Sequence, residues 1–296
     1  DAPEQLDEQR APAIAANQGL SVVVFGSVDP QGNGYRVSLK AIRAVTGDVI
    51  TDEQGRAASK DDVLALATRL TGGVLNALGD DTPESDQQFA RNRISTTSLE
   101  VVTLYAAAVD ASARNRFEEA RENALNAVEL DPKFPLGYMI AAVQSANLGR
   151  LDDRQKYLDL ALQNLEGMTE RERYLTRGYS YLATNDYQLC IKEFSEAVVR
   201  YQADVSGRNN LALCLSKVRK LREATQEMQE VVKILPNQPL FRDNLALYSN
   251  YSGDFQRGEQ EALAVKGVDA YAMLARAFAQ LGPAQLSQAA ETFTKH

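Results

Sequence analysis

The chain has 296 residues, of which 44% are hydrophobic and 24% are charged, the composition of a folded globular protein. Forty acidic against 32 basic residues give a net charge of −8, so the chain has no basic character of the kind that neutralises phosphates, and nucleic acid is not an expected partner. The single histidine is the last residue, His296, which removes the usual member of catalytic triads and of histidine-ligated zinc sites.

The first eighty residues predict a small α+β domain. A tight turn is expected at Gly32-Asn33-Gly34, because glycine and asparagine supply the positive φ values that a hairpin needs. The flanking helices are expected to cover one apolar face of the sheet. The predicted order is helix, strand, strand, strand, helix, at residues 4–17, 21–28, 35–45, 49–56 and 61–78.

The polar, acidic segment from Asp80 to Asp86 predicts a linker after this domain. The expected domains are 1–80 for the α+β domain, 81–98 for the linker and 99–296 for a repeat region. Because the chain starts at Asp1 rather than methionine, we expect a fragment or a mature form.

An internal repeat is visible in the string RNNLALCL, which begins at Arg208 and recurs as RDNLALYS from Arg242. Small residues recur with the same period, as at Ala212 and Ala246. A period of about 34 residues over two helical segments resembles the tetratricopeptide repeat family. The resemblance implies a mainly α protein, an α-solenoid of helix-turn-helix units, with five full repeats and one partial repeat over 99–296. Small residues at the family's helix contacts are Ala108, Ala120, Ala142, Gly178, Cys190, Ala212, Ala224, Ala246 and Gly258.

Proline marks the predicted ends of two second helices, at Pro132 and Pro236, because it lacks the N–H that continues a helix. Beyond the fifth repeat, residues 271–279 predict another first helix, and Pro283 suits the first position of a final helix. A terminal repeat has no neighbour to bury its apolar face. Self-association through this C-terminal helix is therefore a possible contact.

No pattern in the sequence indicates catalysis, a metal or a cofactor. Asp29, Gln31 and Asn33 follow the spacing of a calcium-binding loop, but Lys40 stands where the loop needs a bidentate carboxylate, which favours a hairpin turn. Cys190 and Cys214 are interpreted as unreacted buried thiols, although they could pair once. No run approaches the roughly 18 apolar residues that cross a bilayer, so no membrane insertion is expected.

The repeat resemblance implies a partner-binding groove lined by the first helix of each unit. A peptide or helix of another protein is the expected ligand. Tyrosine and methionine in the early units suit an amphipathic or hydrophobic segment, and each apolar position could equally be core. Asn210 and Asn244, one repeat period apart, could pair with a peptide backbone. The implied groove residues are Tyr105, Val109, Met139, Val143, Leu175, Tyr179, Asn209, Asn210, Leu213, Asp243, Asn244 and Leu247.

A wider resemblance covers most of the chain. The strings VVVFGSVDPQGNGYRVSLKAIRAVTGDVI (22–50), STTSLEVVTLYAAA (95–108) and TERERYLTRGYSYLATNDYQLCIKEF (169–194) resemble the region after the kinase domain in bacterial eukaryotic-like serine/threonine kinases. The strand segment also resembles part of the TolB-like domain. No kinase motif is present, so the resemblance implies a regulatory or partner-recruiting region.

The expected function is protein–protein interaction by a non-enzymatic chain in bacterial signalling. The alternative is a small-molecule sensor in the α+β domain, coupled to a repeat-mediated oligomerisation element. The compartment stays open between the cytoplasm and an extracytoplasmic part of a membrane-anchored parent.

Overall fold

A computed structural model describes residues 10–17, 19–79 and 98–265, together with residues 276, 278, 279 and 292. Contacts between Cα atoms divide the chain into two compact units. The first unit contains residues 1–15 and 21–176, and the second contains residues 16–20 and 177–296. The domain boundaries expected near residues 80 and 99 stay a prediction, because residues 80–97 lie outside the described ranges.

The N-terminal part of the first unit contains a three-stranded antiparallel sheet of order β1-β2-β3. A helix precedes the sheet and a longer one follows it, so the predicted order of elements is confirmed from residue 11 onward. The rest of the first predicted helix, residues 4–9, lies outside the described residues. The elements are α1 (Ala11–Asn17), β1 (Val22–Gln31), β2 (Gly34–Arg43), β3 (Val49–Ala57) and α2 (Asp62–Ala77).

The β1–β2 hairpin uses its two glycines for different reasons. Gln31 pairs with Gly34 across a two-residue turn, and in that turn only Gly32 has a positive φ, of 63°. This arrangement is typical of a type II′ turn. Position 34 requires glycine for a steric reason instead, because a Cβ there would overlap the Ala57 carbonyl oxygen. The expectation of several positive φ values was therefore wrong.

Helix α2 covers one face of β2 and β3. Val63, Leu66 and Leu70 of α2 form a buried cluster with Val37 and Ala57 of the sheet. The helix comes so close to β3 that a Cβ at Gly55 would lie 2.5 Å from the Leu66 side chain. The covering layer expected from the sequence is confirmed for these two strands.

Over residues 98–265, the repeat region contains five helix pairs, as predicted. Equivalent turns in successive units are one repeat period apart, except across the second unit, which is slightly longer. The sixth, partial repeat and the final helix predicted after Pro283 fall largely outside the described residues. The pairs are α3 (Leu99–Ala113) with α4 (Phe117–Leu130), α5 (Pro135–Asn147) with α6 (Leu151–Gln163), α7 (Glu170–Ala183) with α8 (Tyr187–Arg200), α9 (Val205–Lys217) with α10 (Leu221–Ile234), and α11 (Pro239–Ser252) with α12 (Phe255–Ala264).

The first helix of every pair ends in the same turn. One residue adopts a positive φ, and the next donates its N–H to a carbonyl five residues earlier, as Lys220 does to Leu215 at 3.0 Å. This is the Schellman arrangement that satisfies the free carbonyl groups at a helix C-terminus. The residues with positive φ are Asn115, Gly149, Asn185, Arg219 and Gly253.

Replacing Arg219 by glycine is expected to raise the free energy of unfolding by about 0.5–1 kcal/mol. At a φ of 64° the Cβ of arginine crowds the backbone, which destabilises the folded chain. Glycine has no Cβ and avoids this steric strain, although it also makes the unfolded chain more flexible, which offsets part of the gain. Chemical denaturation measures the change. Gly149→Ala is the reverse control, since its φ is 72° and an added Cβ would contact nothing within 4 Å. A destabilised Arg219→Gly variant would contradict this account of the turn.

The predicted small residues are confirmed as helix contacts. Ala120, Ala142 and Ala212 are fully buried, whereas Arg154, the equivalent of Ala120 in the second repeat, is partly exposed. In the third repeat, Gly178 of α7 lies so close to Phe194 of α8 that a Cβ would be 2.8 Å from the phenyl ring. These small side chains allow the two helices of a pair to pack closely.

The two cysteines correct the interpretation made from the sequence. Cys190 of α8 and Cys214 of α9 are both fully buried and form a disulfide, with Cα atoms 6.2 Å apart. The cysteines are therefore not unreacted thiols. A bridge over a sequence separation of 24 residues contributes about 3 kcal/mol by restricting the unfolded chain.

Among the described residues, none of the helices is both long enough and apolar enough to cross a bilayer. Within the same residues, histidine, cysteine and carboxylate side chains form no group of three that could hold a metal ion. The calcium-loop look-alike lies in the hairpin, where Asp29 and Gln31 belong to β1 and Lys40 belongs to β2.

Candidate functional site

In the first unit, the predicted groove residues lie on the first helices of three successive repeats. We call the five residues Tyr105, Val109, Met139, Val143 and Leu175 the apolar surface. All five are partly exposed, although each could have been core by its residue type, and Val109 is 45% exposed. The apolar surface therefore retains hydrophobic area that the described residues leave in contact with solvent.

Tyr105 is a partly buried member of the apolar surface. Its ring packs edge-on against Phe134, which precedes α5, with centroids 5.3 Å apart. Burial raises the pKa of the Tyr105 phenol above its usual value, the Glu172 carboxylate raises this pKa further, and the Arg171 guanidinium partly offsets the rise. The Tyr105 phenol is thus influenced by the residue before α5 and by charged residues of α7.

Stability is expected to fall above about pH 10, and Tyr105→Phe is expected to reduce that fall. In the folded chain the pKa of Tyr105 lies above its usual value of 10.0, so the unfolded chain loses this proton at lower pH than the folded chain does. The stabilisation that comes from the neutral phenol is therefore complete below about pH 10 and is lost as the pH rises through the folded-state pKa. Urea unfolding at about pH 8 and about pH 11 measures the effect.

The matched control for this experiment is Tyr35→Phe, which removes one phenol from the sheet. If wild type and Tyr105→Phe lost the same stability between the two pH values, the proposed burial of the Tyr105 phenol would be contradicted.

In the second unit, the predicted groove residues are more polar. We call the residues Tyr179, Asn209, Asn210, Leu213, Asp243, Asn244 and Leu247 the polar surface; they lie on α7, α9 and α11 and all are partly exposed. The Asn244 amide donates a 2.9 Å hydrogen bond from Nδ2 to Oδ1 of Asn209. This contact joins the first helices of neighbouring repeats.

The expectation that Asn210 and Asn244 bind a peptide backbone stays a prediction, and the structure shows a contact of Asn244 within the chain instead. Asn210 and Asn244 are equivalent in sequence, yet Asn244 bonds to Asn209, whose separation of 35 residues is one more than the repeat period. An amide side chain has four hydrogen-bonding positions, and one is used on each partner here. Asn209 Nδ2 and Asn244 Oδ1 are thus still suited to a peptide backbone.

Arg208 and Arg242, which open the two repeated strings, have a structural role. Arg208 donates to the Gln202 carbonyl at 2.9 Å and to Glu227 at 2.6 Å. Arg242 makes the equivalent bonds, to the Pro236 carbonyl and to Glu261. Each arginine ties its helix to the preceding loop and to the second helix of its own pair.

These arginine contacts were not predicted from the sequence. The signal was present, because Glu227 and Glu261 are one repeat period apart, as are Arg208 and Arg242. When an arginine and a glutamate both recur after one repeat period, they indicate a contact within each repeat. This pattern distinguishes these structural arginines from residues that bind a partner.

Known structures share this fold. The structure of PilW, a type IV pilus biogenesis factor, aligns with a TM-score of 0.55 at 16% identity, over 67% of this chain and 93% of PilW. TTC0263, a tetratricopeptide repeat protein of Thermus thermophilus, aligns with a TM-score of 0.51 at 14% identity, over 61% of this chain and 99% of that one. The Cut9–Hcn1 assembly of the anaphase-promoting complex gives 0.52 at 16% identity, over 79% and 50%.

At these identities the likeness shows the fold alone: an α-solenoid of tetratricopeptide repeats, preceded here by a small sheet. No family model matches the sequence, and no curated protein matches it either.

Proposed function

We propose that this chain is a protein-interaction module that holds a segment of a partner protein against the first helices of its repeats. The observation that carries the proposal is the exposure of the apolar surface. Helix contacts such as Ala108 and Ala142 are fully buried, whereas Val109 and Val143, one residue further along the same helices, keep solvent-exposed area.

The chemistry of the two surfaces indicates the kind of partner. Tyrosine, methionine and valine offer large apolar contact area and only one polar tip, which suits the hydrophobic face of an amphipathic segment. The Asn209–Asn244 pair offers amide groups that suit a peptide backbone. The proposed ligand is therefore a peptide or helix with an apolar portion.

The proposed setting is the regulatory or partner-recruiting region of a bacterial signalling protein, such as a serine/threonine kinase. Its support is the sequence resemblance of residues 22–50, 95–108 and 169–194 to that region. In this setting the chain acts by recruiting a partner and leaves catalysis to another domain. The division into residues 1–80, 81–98 and 99–296 belongs to the same proposal.

Capture of partners from a lysate of the source organism tests the proposal. Wild type is compared with a variant carrying Tyr105→Ala, Met139→Ala and Tyr179→Ala. The matched control carries Leu130→Ala, Leu151→Ala and Val199→Ala, which truncate three apolar side chains of second helices, each more than half exposed. Circular dichroism checks that all three proteins are folded.

A partner that binds wild type and the control but not the triple variant supports the proposal. Equal capture by wild type and the triple variant would overturn it, because binding would then lie outside the first helices.

A further inference from the structure

Among the described residues, no strand pairs with the outer edge of β1. Within the described residues, β1 pairs with β2 alone and lies at one end of the sheet. Its segment Val22–Val28, with the sequence VVVFGSV, contains no charged residue. Natural edge strands are usually protected by charges, proline or a covering element, because an open edge pairs with other strands. The opposite edge strand, β3, carries Asp52, Glu53 and Arg56.

The hydrogen-bonding groups on this edge can be assigned from the hairpin. Gln31 and Gly34 close the two-residue turn, so they are a hydrogen-bonded pair, and such pairs alternate along an antiparallel ladder. The N–H and C=O groups of Val24, Gly26 and Val28 therefore point away from β2. Pro30, which has no N–H, occupies another outward position and fits this assignment.

On one face of β1, the described residues also leave two valines uncovered. Val24 and Val28 lie opposite Ala41 and Val37 of β2, so they share the sheet face on which α2 packs. Because α2 lies over β2 and β3, Val24 and Val28 remain 49% and 51% exposed. An apolar strip and a row of free backbone groups therefore coincide on one strand.

We propose that β1 pairs with β1 of a second copy of this chain, antiparallel, about a two-fold axis between the two Gly26 residues. In this register Val24 of each copy lies opposite Val28 of the other. The segment is suited to itself, because cross-strand pairs of β-branched residues stabilise a sheet and no like charges meet within residues 22–28. The two Asp29 carboxylates lie at opposite ends of the new ladder.

The mass of the intact chain in solution, measured by analytical ultracentrifugation from about 1 µM to about 200 µM, tests the proposal. We expect the mass to rise from 32.5 kDa toward twice that value. Val24→Lys with Val28→Lys is expected to abolish the rise. Val45→Lys with Val49→Lys, at valines that are 81% and 55% exposed, is the matched control and is expected to retain it.

Cross-linking tests the register. In the described structure no cysteine is free, so Val24→Cys with Val28→Cys supplies two new thiols. These positions are roughly 13 Å apart along one strand, too far for a bond within one copy. Oxidation is expected to give a covalent dimer with the double variant and not with Val24→Cys alone.

A chain that stays monomeric over the whole concentration range would overturn the proposal, and the edge would then belong to a different partner strand. A dimer that survives Val24→Lys with Val28→Lys would also overturn it, since the contact would lie elsewhere, for example in the C-terminal residues.

Discussion

Phe194→Ala is expected to lower the free energy of unfolding by about 3–5 kcal/mol, the range for removing a fully buried aromatic side chain. Phe194 has no solvent exposure and is the largest fully buried side chain among the described residues. Its ring fills the space that Gly178 leaves on α7. The alanine variant therefore leaves a cavity between α7 and α8 that these close-packed helices cannot readily close.

Chemical denaturation followed by circular dichroism measures this change. Leu189→Ala on the same helix is the control, because Leu189 is 37% exposed and its truncation is expected to cost about 1 kcal/mol or less. An equal loss of stability in the two variants would contradict the account in which the buried Phe194 ring fills the space between α7 and α8.

Arg242→Leu is expected to lower the free energy of unfolding by about 2–3 kcal/mol. The change removes the hydrogen bond to the Pro236 carbonyl and leaves the Glu261 carboxylate, which is only 15% exposed, without its guanidinium. A partly buried charge without a partner is destabilising, and this cost exceeds the value of the ion pair itself.

Arg257→Leu is the matched control for Arg242→Leu. Arg257 pairs with Asp254, but both side chains are more than 40% exposed, so its removal is expected to change stability by about 0.5 kcal/mol. Arg242→Leu with Glu261→Leu is expected to recover part of the loss. A double variant no more stable than Arg242→Leu would contradict the explanation by an unpaired carboxylate.

The repeat architecture could be predicted because its signals are periodic. A small residue at a helix contact, such as Ala212 or Ala246, is a requirement of close packing that recurs at every unit. The turn geometry could not be predicted in the same way. Arginine at position 219 is a poor choice for a positive φ, and the surrounding repeat imposes that conformation against the local preference.

The sequence predicted which helices carry the candidate residues, but it did not predict their exposure or their contacts. Each apolar position could equally have been core, and the structure leaves Val109 and Val143 partly exposed. The Asn244–Asn209 bond depends on how two neighbouring repeats are offset, which sequence equivalence cannot give. For the same reason, the disulfide between Cys190 and Cys214, which joins neighbouring repeats, could not be decided from the spacing of the cysteines.

Site-specific photo-cross-linking tests most directly whether the first helices bind the partner. A photoreactive phenylalanine analogue replaces Val143 on the apolar surface, or Val199, which is 71% exposed on the second helix α8. Irradiation in the lysate of the source organism is expected to attach a partner at position 143 and not at position 199. Attachment at position 199 alone, or equally at both positions, would contradict the account.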